Sequence, residues 1–140
     1  MSPTAALAKL RKLCLAFPDV VERPSHGMPT WFVRDKKSFA TFSNDHHGDG
    51  RLAFVCAAPD GMQAALVEHN PDAYYLPPYV ARLGWVGVRL DRDLASAEIA
   101  SVVASAYATV AAKVPAARAS RQPSRPSSRA ALGTRRRPAR

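Results

Sequence analysis

Cysteine, metal-binding clusters and long apolar runs are what this sequence has least of, and each shortage closes off a class of protein. Its two cysteines, Cys14 and Cys56, lie in apolar runs with no histidine or second cysteine at metal-ligand spacing. Buried thiols are therefore expected, without a disulfide framework, a metal site or a cofactor. No apolar run approaches the ~18–20 residues needed to cross a bilayer, and no basic stretch leads into an apolar core at the N-terminus. The expectation is a soluble cytoplasmic protein that makes no membrane contact. Also missing are a nucleophile paired with a base and a glycine loop able to cradle phosphate. His26 with Asp19 or Glu22 is the one acid–base constellation worth naming, so the chain reads as a non-enzyme.

Acidic residues are missing from one end. From Pro115 to Arg140 there are eight arginines and no Asp or Glu, leaving twelve Lys plus Arg against eleven acids in residues 1–114. The net charge of +9 thus sits almost wholly in the tail, and the remainder is near +1. Arg, Pro, Ser and Ala dominate residues 115–140, where Leu132 is the only large apolar side chain. Such a segment buries too little apolar surface to offset its ordering entropy, which predicts a disordered basic tail. Residues 1–114, within a chain that is 47% apolar, have the material for one core.

In that part, Ser2-Pro3 suits a helix start, and Leu7, Leu10, Leu13, Cys14 and Phe17 recur at helical spacing up to Pro18. Residues 19–29, holding Pro24, Gly27 and Pro29, predict a loop that carries His26. Three segments rich in aromatic and branched residues follow: Trp31-Phe32-Val33, Ser38-Phe39-Ala40-Thr41-Phe42 and Leu52-Ala53-Phe54-Val55-Cys56. Turn-forming joints separate them, so an antiparallel meander is expected, with Phe32, Phe39 and Phe54 as core candidates. The second joint, Asn44 to Gly50, contains His46, His47, Asp45 and Asp49. Adjacent histidines point apart and the acids lack calcium-loop spacing, which predicts a plain hairpin loop. Pro59 predicts the start of a helix running to about Glu68, with Met62, Ala65 and Leu66 inward. Ala73 to Leu76 reads as extended.

From Leu76 to Asp91 prolines, glycines, aromatics and arginines crowd one passage. Pro77-Pro78 forces a bend, Gly84 suggests a turn, and Trp85, Val86, Val88 and Leu90 read as a strand. Gly87 within it suggests a bulge or a close approach of something else to the backbone. A long helix is then expected from Asp93 or Ser96, with Ile99, Val102, Val103, Ala106, Val110 and Val114 as one apolar stripe. The pattern predicts an α+β domain, an antiparallel sheet packed against N-terminal and C-terminal helices.

Several ordered motifs resemble one family. Leu13-Cys14-Leu15-Ala16-Phe17-Pro18, Ser25-His26-Gly27-Met28-Pro29-Thr30-Trp31-Phe32-Val33 and Lys37-Ser38-Phe39-Ala40 are similar to the opening of the MmcQ/YjbR family. So are Pro77-Pro78-Tyr79-Val80, the run Gly84 to Asp91, and the helix holding Ser105-Ala106-Tyr107 through Lys113. The resemblance covers roughly residues 4–114. It implies a CyaY-like or double-wing α+β fold and a DNA-binding role.

On that reading Arg34, Lys36 and Lys37 form one wing, Arg82 and Arg89 a second cluster, and the tail, with Arg135, Arg136 and Arg137, adds phosphate contacts. Arg135-Arg136-Arg137-Pro138 resembles a minor-groove hook, except that Arg136 stands where such a hook has glycine. DNA is then the expected partner and a monomer the expected state. Against this stands the near-neutral charge of residues 1–114. The alternative is a binding module for a small molecule or protein, using a groove between the sheet and the Pro77–Trp85 loop. Its expected lining is Trp31, Tyr75, Tyr79 and Trp85, with Tyr74 beside them.

Overall fold

The first helix, α1 (Pro3–Leu15), begins where the sequence places it: the Ser2 side chain accepts the Ala5 N–H at 3.1 Å, and Pro3 takes the first turn. Ala6, Leu10 and Cys14, four residues apart, are its buried stripe. The structure, a computed structural model, describes residues 2–45 and 48–115. His46, His47 and the segment 116–140, and with it the expectation of a disordered tail, lie outside the described residues. No helix among the described residues is long and apolar enough to cross a membrane.

The sheet is formed by β1 (Val20–Ser25), β2 (Met28–Val33), β3 (Lys37–Asn44), β4 (Leu52–Cys56), β5 (Tyr74–Tyr75) and β6 (Val86–Arg89). Its strands are antiparallel throughout and run in the order β1-β2-β3-β4-β6-β5. Two helices complete the fold, α2 (Met62–His69) after β4 and α3 (Ser96–Ala111) after β6. This is the α+β architecture the sequence pattern predicts.

The loop expected over residues 19–29 is instead a hairpin. β1 pairs with β2 from Val20–Val33 to Ser25–Met28, and His26-Gly27 turn the chain with φ of 54° and 78°. Two positive φ values in a two-residue loop match the right-handed twist of the strands, which is why the turn holds despite its histidine. Pro24 misled the sequence reading because proline is tolerated on an edge strand, where no ladder bond is asked of it. Arg34 and Asp35 form the same kind of turn between β2 and β3, with φ of 52° and 55°.

Cross-strand rows sort the side chains. Glu22, Trp31, Ala40, Cys56 and Val86 form one row, and Phe42, Phe54, Val88 and Tyr74 the next. Both face α1 and α3 and, Glu22 apart, are buried with Leu10, Cys14, Ile99, Val103 and Ala106. A register shift at Trp31/Phe32 leaves Phe39 without a partner on β2. That irregularity re-aims Phe39 toward α3, where its ring meets Tyr107 edge-on at 5.6 Å while Phe17 stacks on Tyr107 at 4.5 Å. Phe32 is buried, but its cross-strand neighbour on β1 is Val21 and the Arg23 guanidinium covers its ring at 3.8 Å. It therefore packs on the sheet face away from the helices. α2 begins at Met62, not Pro59, and Ala65 points to solvent.

Both cysteines are free and buried. Burial pushes each thiol up, Cys56 to about 12, so neither is a nucleophile at neutral pH.

α1 is pinned to the sheet by one carboxylate. Glu22 accepts both Arg11 Nε and Arg11 Nη2 at 2.8 Å and Trp31 Nε1 at 2.9 Å. The Arg11 bond holds its carboxyl below the usual range, aided by Trp31 and opposed by burial. A depressed folded value contributes stability above the unfolded value near 4.5 that is lost as pH falls through the folded one. Between pH 5 and pH 3 the wild type is accordingly expected to lose more denaturant stability than Glu22→Gln. Equal losses in urea titrations at the two pH values would refute this anchor.

Candidate functional site: a groove on the open sheet face

Alternation along the strands gives the sheet a second face, and its central row is Thr30, Thr41, Val55, Gly87 and Tyr75, each directly opposite the next. Gly87 is buried, and a Cβ there would collide with the Tyr75 ring. The missing side chain is therefore what lets that ring lie flat across the strand. The Arg51 guanidinium stacks on the same ring at 4.0 Å, and burial raises the phenol's pKa.

From Tyr75 the chain crosses this face as the 76–85 loop before re-entering the sheet at Val86. Pro77 is buried beneath it. Ala81–Leu83 make one turn of 3-10 helix, closed by Gly84 in the left-handed region at φ 86°. Gln63 of α2 donates to the carbonyls of Ala81, at 2.8 Å, and Trp85. The second half of the loop is thus tied to α2.

Between loop and sheet lies a groove of about 710 Å³. Its floor carries Ser25, Thr30, Ser38, Thr41 and Ser43, and its walls Pro77, Pro78, Tyr79, Leu83 and Trp85. Thr30 Oγ1 lies 3.2 Å from Thr41 Oγ1 and donates to the Met28 carbonyl at 3.0 Å. Among the described residues, Asp49 and His26 are its only ionisable members besides the tyrosines. Tyr79 is 78% exposed and has φ 71°. The Val80 N–H donates to the Pro78 carbonyl at 2.8 Å, so Tyr79 occupies the centre of a positive-φ γ-turn, a rare and strained conformation.

Of the groove residues expected from sequence, Tyr75, Tyr79 and Trp85 line it. Trp31 does not: it is fully buried on the helix face, bonded to Glu22, and Tyr74, on the same face at β5, reaches Glu98 of α3. The hydroxyl floor went unnoticed. Its signal was present in β3, where Thr41 and Ser43 alternate with Ala40 and Phe42. His26 lines the groove, whereas Glu22 faces α1 and Asp19 pairs with Arg34 Nη2 at 3.2 Å. The acid–base constellation is therefore not assembled.

The cations divide into two sets. Arg34 donates to the Val114 carbonyl at 2.9 Å as well as binding Asp19, and Arg89 grips both oxygens of Asp91 at 2.9 and 3.0 Å. Arg11, Arg23, Arg51 and Arg92 also pair with carboxylates. Among the described residues, Lys12, Lys36, Lys37, Arg82 and Lys113 are exposed, Lys9 is half-buried and donates to Ser96, and none of the six makes an ion pair. Arg135, Arg136 and Arg137 lie outside the described residues. No cluster of three or more His, Cys, Asp or Glu side chains able to hold a metal occurs among the described residues.

The YjbR family model matches residues 15–109. The chain belongs to the YjbR family. That span runs from the end of α1 through most of α3 and includes every groove residue. The fold is similar to the crystal structure of Deinococcus radiodurans protein DR2400, described with a DUF419 domain. The TM-score is 0.67 at 17% identity, over 82% of this chain and 85% of that one. Identity that low supports the shared fold alone. Among curated proteins none matches the chain.

The γ-turn at Tyr79 has a measurable consequence. Glycine adopts positive φ freely while alanine does not, so Tyr79→Gly is expected to be more stable than Tyr79→Ala by about 1 kcal/mol. Both variants remove the exposed ring, so urea midpoints of the pair isolate the backbone. An alanine variant as stable as the glycine one would mean the turn carries no strain.

Proposed function

We propose that this YjbR-family domain is a non-enzymatic binding module, acting as a cytoplasmic monomer, whose site is the groove beneath the 76–85 loop and whose ligand is a small molecule. The observation that carries this reading is the groove itself. At about 710 Å³ it falls in the ~300–1,000 Å³ range of small-molecule sites, with apolar walls and convergent polar groups. It sits on a rigid sheet under a loop anchored by Gln63, so little ordering is left to oppose binding. Two buried free thiols fit a reducing compartment.

A ligand that binds only the folded state must raise its melting midpoint. In a thermal-shift screen of diverse small molecules against the full chain, binders are expected whose shift disappears in Thr41→Trp, which fills the floor. Binders that shift that variant equally would place the site elsewhere, and a screen without binders would overturn the groove as a site.

A second reading, DNA binding, is favoured by Lys36 and Lys37, exposed at the β2–β3 hairpin, and by the eight arginines after residue 114. If all eight met phosphates, the slope of log affinity against log salt would steepen by about 7, at ~0.9 per contact. On this reading most of the affinity belongs to the tail, because six domain arginines are paired with acids. The full chain is expected to bind duplex DNA with weak sequence preference and steep salt dependence. Residues 1–114 alone are expected to lose most of both, and retention of the same affinity and slope in that shorter chain would overturn the tail's part.

A further inference from the structure

Resting on the groove reading above, we infer that its ligand is an uncharged nucleoside, a flat heteroaromatic base joined to a sugar, gripped by Tyr79 and refused when phosphorylated. Three features of the lining lead there, and the first is charge. Among the described residues, no Lys or Arg stands in the walls or floor of the groove. Arg51, beside it, is committed to the Tyr75 ring at 4.0 Å and to Asp49 at 3.9 Å, and Arg82 on the loop is exposed and is not part of the lining. A phosphate entering such a site would lose water without gaining a cation, and would meet the Asp49 carboxylate.

Shape and polarity supply the other two. The floor presents a neutral strip of hydroxyls, Ser25, Thr30, Ser38, Thr41 and Ser43, groups that can both donate and accept, except that the Thr30 proton is already given to the Met28 carbonyl. Such groups match the mixed donor and acceptor edges of a base and the hydroxyls of a sugar. Above them Tyr79 stands 78% exposed, held by the backbone in a conformation that tyrosine disfavours. Strain of this kind persists where surrounding structure enforces it and gathers at ligand clamps. Here it keeps a large aromatic ring at the groove mouth instead of letting it fold into the core. A base sliding beneath Tyr79 would recover by stacking the apolar contact that the free protein forgoes. The exposed Leu83 on the same loop extends that surface.

The test uses the full chain with adenosine, guanosine, cytidine and uridine, and with their 5′-monophosphates at the same concentrations. Binding is read by thermal shift and by tryptophan fluorescence, which reports Trp85 because Trp31 is sealed on the other face. At least one nucleoside is expected to raise the midpoint and change the fluorescence, with its monophosphate weaker by about tenfold or more. Tyr79→Gly is expected to stay folded and to weaken that nucleoside by about tenfold, the size of one lost base–aromatic stack. A monophosphate that binds as well as its nucleoside overturns the claim of an uncharged ligand while leaving the groove in place. Unaltered affinity in Tyr79→Gly overturns the clamp. If no nucleoside binds at millimolar concentration, the ligand class is wrong, and the separate small-molecule screen with Thr41→Trp then decides the groove itself. A nucleoside that binds Thr41→Trp undiminished overturns both. Tight binding of single-stranded DNA that competes for the groove, with no affinity for free nucleosides, overturns the small-molecule source in favour of a base presented by a polymer.

Discussion

The contact between the Tyr75 ring and the bare backbone of Gly87 is the constraint on which the open face depends. β5 is only two residues long and sits at the sheet edge, so backbone pairing alone holds it weakly. The ring lying across β6, capped by Arg51, adds side-chain contact that a strand so short cannot otherwise make. It also sets where the chain leaves the sheet. From that point the 76–85 loop crosses the open face, turns at Tyr79 and Gly84, and returns to Val86. The groove exists because that path stands off the sheet by the thickness of its own prolines and aromatics.

On the other face the order is different. Glu22 ties α1 to β1 and β2 through Arg11 and Trp31, and Tyr107 ties α3 to Phe17 and Phe39. Arg34 closes the same end by joining the β2–β3 turn to Asp19 and to the Val114 carbonyl. These polar clasps surround an apolar centre and consume cations. A guanidinium already held by a carboxylate offers a phosphate little, since the exchange replaces one ion pair with another. The folded part for that reason offers fewer free guanidinium groups than its cation count suggests.

Much of the architecture was legible as pattern. The apolar stripes of α1 and α3, the strands β2 to β4, and the turn at Gly84 follow from periodicity and from the conformational limits of proline and glycine. β1 was not legible, because Pro24 and the His26-Gly27 pair carry loop propensity and are tolerated only by an edge strand closed with a positive-φ turn. Half of the groove could be anticipated from the density of aromatics between residues 74 and 85. Its hydroxyl floor could not be assembled in advance, because Ser25, Thr30, Thr41 and Ser43 come from three strands and meet only through register.

By itself the sequence determined which stretches form helices, which stretches of the meander form strands, and that positive charge concentrates after residue 114. These are local properties, settled by side-chain size, backbone freedom and spacing. Tertiary structure alone decided that Trp31 belongs to the core while Tyr79 and Trp85 belong to the groove, and that Arg34 and Arg89 are held by acids while Lys36, Lys37 and Arg82 make no ion pair among the described residues. The reason is geometric: a one-residue change of register moves a side chain from one face of a sheet to the other, and no local preference records which face a helix will cover.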